Sequence, residues 1–345
     1  MSSHMSAPVL LCAAAGLGAT ALMPARDAQQ GTDRPRAAVA PVEIREWEVP
    51  WERSRPRDPH VDGEGRVWFV GQQGNYIAFL DPESGKFTQF AIDSGTHPHN
   101  LIVDVAGMVW YAGNRNGMIG KLDPASGRIT RYPMPEAIRD PHTLVHDGSQ
   151  SIWFTAQQSG YVGRLNTATG TVDAIEVPTG RSRPYGIIVG KDGTVWFNEF
   201  GANKLASIDP ETLALTEYEQ PNPRTRGRRL AMTSDGAVWY VDYARGMLGR
   251  FDPASKSFKE WTNPGGANSM PYAMGVDASD RLWFVETGVR PNRLVGFDPA
   301  TEDFFSITPF GPESNTVRHL YYHAPDNAIW FGTDAGTIAR ASLPD

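Results

Sequence analysis

The chain has little that could cross-link it, bind soft metals or attract polyanions. Its 345 residues contain one cysteine, Cys12, near the N-terminus. The body of the chain therefore has no disulfide, thiolate metal site or cysteine nucleophile. Basic charge is also short: 32 Lys and Arg stand against 39 Asp and Glu, a formal net charge of -7. Nucleic acids and anionic membranes demand a basic surface, so neither is an expected partner. The P-loop, the dinucleotide-binding glycine pattern, HExxH and the G-x-S-x-G elbow are all absent. One long uncharged run occurs, Ala7 to Met23 (APVLLCAAAGLGATALM). It has the length of a secretory h-region and is short for a bilayer span. Residues 1–40 are read as a leader, a signal peptide with a candidate cleavage site at Ala19 and Ala21, followed by the linker PARDAQQGTDRPRAAVA. The expected location is periplasmic or secreted, with no membrane span once the leader is removed.

What the chain does have is a repeat. Trp68, Trp110, Trp153, Trp196, Trp239, Trp283 and Trp330 are separated by 42, 43, 43, 43, 44 and 47 residues. Each lies in similar local text: RVWFV, MVWYA, SIWFT, TVWFN, AVWYV, RLWFV, AIWFG. Short alternating segments at this period predict an all-β, seven-bladed β-propeller with four-stranded blades over residues 41–345. Gly65, Gly107, Gly193, Gly236, Asp280 and Asn327 stand three residues before a Trp, where a tight turn calls for positive φ. The third repeat has Gln150 there, with Gly148 nearby. The last repeat ends without sequence for an outer strand, and Val42 to Pro50 (VEIREWEVP) matches the outer strands of other repeats. The N-terminal strand is therefore expected to complete the last blade and remove an open sheet edge. The tryptophans themselves are read as packing blade against blade.

The period also locates a candidate site. Eleven residues before each Trp stand Arg57, His99, His142, Tyr185, Arg228, Tyr272 and His319. Every one is basic, imidazole or phenolic, and most follow a proline. The loop from one blade's outer strand to the next blade's inner strand should carry them to the mouth of the channel. Three and four residues after each Trp, the second strand returns to that face. These positions give small residues and amides in blades one to three, including Gln72, Asn114 and Gln157, and the acids Glu199, Asp242 and Glu286 in blades four to six. Such a funnel suits proton transfer and an anionic or carbonyl-rich ligand. His60, His97, His146 and His323 lie off the ring and read as structural, His146 and His323 on inner strands and His60 and His97 as neighbours of the ring.

The segment RPYGIIVGKDGTVWFNEFGANKLASIDP, Arg183 to Pro210, carries a repeat of the form P-(H/Y)-x-I … DG-x-(V/L)-WF-x-E … N-K-(I/L). Repeats of this form resemble the virginiamycin B lyase (streptogramin lyase) family, and the resemblance runs from about residue 42 to the end. It implies a seven-bladed propeller that opens a cyclic depsipeptide at its ester by elimination, with Mg²⁺. The family's Glu-Pro-His loop is matched by Asp140-Pro141-His142, and His99 precedes it by one blade. His142 then resembles the general base, His99 a substrate-binding imidazole and Asp140 a metal ligand. Gln157 stands where the family pattern has glutamate, so any cation site loses a charge.

Three readings stay open. The first is a carbon–oxygen lyase: His142 takes a proton beside a carbonyl, Arg57, Arg228 or a cation steadies the enolate, and Tyr185 or Tyr272 protonates the leaving oxygen. Gln72, Asn114 and His319 would contact a small-molecule or peptide-like substrate. The second is a lactonase of the gluconolactonase type, with one divalent ion, Mg²⁺ or Ca²⁺, on Glu199, Asp242 and Glu286. The third is a monomeric propeller that binds a ligand or partner without turnover.

Overall fold

The computed structural model describes residues 40–311 and 314–344. The leader expectation lies outside the described residues. From Ala40 onward the chain forms seven antiparallel sheets of four strands each. In each of the first six blades the chain runs outward through four consecutive strands. The inner strands are Pro56–Val61, Pro98–Val103, Pro141–His146, Pro184–Val189, Gly227–Met232 and Pro271–Val276. Blade seven takes its inner strand from Tyr321–His323, followed by Ala328–Gly332 and Thr337–Ser342. Its outer strand is Glu43–Glu48, which pairs with Thr337–Ser342 from Glu43 opposite Ser342 to Glu48 opposite Thr337. Trp47 stacks on Trp330 at 5.4 Å, so the closure is apolar as well as hydrogen-bonded.

The turn reading holds in detail. Gly65, Gly107, Gly193 and Gly236 have φ between 77° and 83°, and Asp280 and Asn327 adopt the same hand. In the third blade Gly148 takes the role at φ 80°. Second strands are buried along their whole length in six blades, because both faces are covered by neighbouring blades. The Trp ladder packs there, as in the cluster of Trp239 with Val241, Phe284 and Phe297. The ladder has a polar handle too. Trp68, Trp110 and Trp283 donate their indole N–H to Asp62, Asp104 and Asp277 at 2.7, 2.8 and 2.9 Å. The same carboxylates accept backbone N–H groups of the turn, so one residue joins turn and core. Among the described residues no helix is long and apolar enough to cross a membrane.

Candidate functional site at the channel mouth

Each of the first six inner strands breaks register where it enters the sheet, for instance between Arg57 and His60 and between Pro184 and Ile187. Such a bulge re-aims side chains. The residue before the proline sits in the left-handed region at Arg55, His97, Arg183 and Met270, with φ of 46°, 49°, 52° and 45°. Its carbonyl or a neighbour's holds the residue four past the Trp: Gln72, Phe200, Tyr243, Thr287 and Asp334 all donate their N–H into this loop. Ring residue and strand end are thereby fixed side by side.

Five ring residues form one contiguous arc. His99 and His142 lie ring on ring at 3.6 Å, and His142 lies 4.5 Å from Tyr185. The Tyr185 and Tyr272 hydroxyls are in direct hydrogen-bond contact. The Arg228 guanidinium lies 3.7 Å above the Tyr272 ring and 4.2 Å from Tyr243. Arg57 is buried, donating to Asp58 at 3.0 Å and to the Gln72 amide oxygen at 3.3 Å. Asn114 donates to the Pro141 carbonyl at 3.2 Å, tying blade two to the ring loop of blade three.

His319 does not join this arc. It lines a cavity of about 320 Å³ further along the channel, with His60, His146 and Arg229. Its neighbour Arg318 takes the mouth position, bound to Asp334 and 3.5 Å from the Tyr272 hydroxyl. Blade seven pairs differently: its inner strand is short, and Val317 meets Thr333 in an isolated bridge. His60 is also relocated, being an inner-strand residue rather than a neighbour of the ring.

The acidic arc does not line the funnel either. Strand side chains alternate, so the third and fourth positions after the Trp face opposite ways. The fourth lies at the mouth; the third is buried between blades. Asp242 accepts from the backbone N–H of Arg226, Ala244 and Arg245. Glu286 accepts from Gly265 N–H at 2.8 Å and pairs with Arg293. Glu199 is fully buried, and burial with the nearby Glu217 pushes its carboxyl up to about 8. Asp140 is spent on the Gln158 and Ser159 amides and the Ser159 hydroxyl. Gln157 is half-buried, with only a 3.5 Å contact from Gln158. Among the described residues no three His, Cys, Asp or Glu side chains gather as a metal set. Asp140, Asp242 and Glu286 are each engaged in this way, and Glu199 and Gln157 do not join them in one set that a divalent cation would fit.

A second layer escaped the sequence reading. The residue after the ring position supplies Asp58, Asn100, Thr143 and Arg229. Arg229 reaches from blade five to Thr143 at 3.2 Å, to Asp58 at 3.3 Å and to the Arg318 carbonyl at 3.2 Å. Asn100 donates to Asp58 at 2.9 Å. Gly186 lets the backbone at Arg228 and Arg229 pack close to its own strand, since a Cβ there would lie 2.5 Å from the Arg228 carbonyl. The available signals were the Arg228-Arg229 pair and the lone acid Asp58 beside a ring residue.

Burial and surrounding guanidiniums set the protonation states. Burial, then Arg229 and Arg57, holds His142 well below its ordinary value, and His99 is depressed by burial and Arg57 in the same way. Both imidazoles are neutral at neutral pH. Burial alone would raise the Tyr272 phenol, but Arg228, Arg57, Arg318 and Arg229 outweigh it and bring it down to about 7. Burial and Tyr272 push Tyr185 up. Two phenols in contact thus have their affinities for a proton drawn apart, which separates a base from an acid.

Fold and site define a seven-bladed propeller with a titratable, cation-rich channel mouth. The sequence model of the virginiamycin B lyase family matches residues 42–341, and the chain belongs to that family. A streptogramin B lyase structure is similar at TM-score 0.79 and 26% identity, covering 88% of this chain and 98% of that one. Virginiamycin B lyase from Staphylococcus aureus is similar at TM-score 0.80 and 24% identity, over 88% and 99% of the two chains. Kuenenia stuttgartiensis hydrazine synthase shares the fold at TM-score 0.70 and 13% identity, over 86% and 97%. No curated protein matches the sequence.

Proposed function

We propose that the chain is an exported carbon–oxygen lyase that works in the channel mouth by elimination beside a carbonyl. The observation that carries this reading is the Tyr185–Tyr272 hydroxyl contact beneath four guanidiniums. The Tyr272 phenolate removes the proton. A base matched to neutral pH does this best, and Tyr272 meets that condition while the depressed His142 imidazole is a weak base. His142 instead packs beside Tyr185 and orients it. Arg57 and Arg228 stabilise the enolate that forms. Tyr185, still protonated, delivers a proton to the leaving oxygen. No step is routed through a metal ion.

The test is product chemistry. The full chain is incubated with quinupristin, the ligand in a structure of a catalytically inactive S. aureus virginiamycin B lyase, and with small esters and ethers bearing oxygen β to a carbonyl. Elimination gives an unsaturated product; ring opening of a cyclic ester by this route leaves the mass unchanged. Turnover should survive chelator and fall about 10²–10⁴-fold in Tyr272→Phe, the usual span for loss of a general base. A product heavier by one water, lost on chelation, would assign the lactonase reading. Saturable binding with no product across the set would assign a ligand-binding propeller.

A further inference from the structure

The cations at the channel mouth outnumber their counter-ions. Arg57, Arg228, Arg229 and Arg318 face two carboxylates among the described residues, Asp58 and Asp334, which leaves at least two positive charges over. Asp58 is shared by Arg57 and Arg229, and Asp334 by Arg318 and, at 3.9 Å, Arg55. Arg228 has no carboxylate partner among the described residues, and its Nε donates to nothing there. The Arg57 Nη2, buried to 3% exposure, is likewise without a partner among them. Guanidiniums stay charged in proteins, so the excess cannot be removed by losing a proton. Tyr272 as phenolate answers one charge and leaves the other. A buried cation without a counter-ion is costly to hold. One donor on Arg57 and one on Arg228 are thus left without an acceptor, Arg228 lying over the Tyr272 ring of the proton-transfer pair, and a carboxylate is the acceptor that guanidiniums bind most strongly.

We infer that the channel mouth recognises a carboxylate, and that the substrate is a carboxylic acid anion with its oxygen leaving group on the β carbon. This rests on the lyase reading above and narrows it from any carbonyl compound to an anion. The chemistry closes without a further reactant. The Tyr272 oxygen takes the proton from the carbon next to the carboxylate. That electron pair becomes the new carbon–carbon double bond as the β carbon–oxygen bond breaks. Tyr185 gives its proton to the departing oxygen. The products are an α,β-unsaturated carboxylate and an alcohol or acid. The Tyr272 hydroxyl then returns its proton to the Tyr185 oxygen across their direct contact, which restores both groups. Charge that gathers on the carboxylate during proton removal falls on Arg57 and Arg228, where it is worth most.

The inference is tested by titrating the full chain with 3-phenylpropanoate and glucuronate, and with their neutral amides, followed by calorimetry. The carboxylates should bind at least ten-fold more tightly than the amides. Arg228→Gln should abolish that preference, and Arg228→Lys should recover part of it. Both variants are first checked for wild-type melting; Arg57→Gln serves as a second, independent removal of charge. Equal binding of acid and amide, or binding of neither, would overturn the inference. The two readings fail separately. Elimination from neutral esters without a carboxylate preference keeps the lyase and sinks the carboxylate. A carboxylate preference without elimination from 3-acetoxypropanoate or quinupristin sinks the lyase and keeps the anion site.

Discussion

Tyr272→Phe tests the site without disturbing its packing. The variant keeps the ring under Arg228 and removes only the ionisable oxygen. In the unfolded chain a tyrosine releases its proton near pH 10, whereas in the folded chain Tyr272 does so at about 7. Between those values the unfolded state binds the extra proton, so stability rises with pH. The group's folded value is depressed; its stabilisation is therefore complete above pH 10 and lost as pH falls through 7. Three pH units at 1.36 kcal/mol each give a ceiling of about 4 kcal/mol. Tyr185, pushed up, adds a loss of stability only above pH 10. Glu199, raised to about 8, loses stability in the lower part of the same window, and comparison with the variant cancels it. Two measurements decide. Ultraviolet difference absorbance should show one phenolate forming near neutrality in the wild type and none in Tyr272→Phe, ahead of the other tyrosines. Urea unfolding at pH 6 and pH 9 spans about two of those three units, so the wild type should gain about 3 kcal/mol on the variant. If all tyrosines titrate together near pH 10, the guanidiniums do not outweigh burial and Tyr272 is no base at neutral pH.

Other expectations can be checked alongside. Asp58→Asn leaves Arg57 and Arg229 buried without their shared carboxylate, and a loss of about 3–5 kcal/mol is expected in urea unfolding. Glu199→Gln should stabilise the chain at pH 9 by a few kcal/mol and do nothing at pH 4. The wild-type carboxyl, raised to about 8, contributes stability only below its ordinary value and loses it as pH climbs through 8; thermal melts at both pH values report it. Trp47→Ala removes the stack on Trp330 at the seam of blade seven and should cost about 3 kcal/mol in the unfolding of the whole domain, as one transition. His142→Ala should lower turnover far less than Tyr272→Phe; equal losses would restore the imidazole as base.

The architecture was legible because tryptophan spacing, turn residues and the missing last strand all gave the same blade count. The arc of His99, His142, Tyr185, Arg228 and Tyr272 was legible because one loop recurs in each blade. The second layer was not. A regular strand sends the residue after Arg57 or Arg228 away from the channel, and the bulge at the inner strand's start turns Asp58 and Arg229 toward it. Parity explains the acids: Glu199, Asp242 and Glu286 are one residue short of the position that faces the mouth, where Gln72 and Asn114 sit. Blade seven broke the count because its irregular inner strand gives the mouth to Arg318 and not His319.

Arg229 ties blades one, three, five and seven across the axis. Sheets that share no strand are thereby coupled through one guanidinium, so its removal should be felt in four blades at once and not in a single seam.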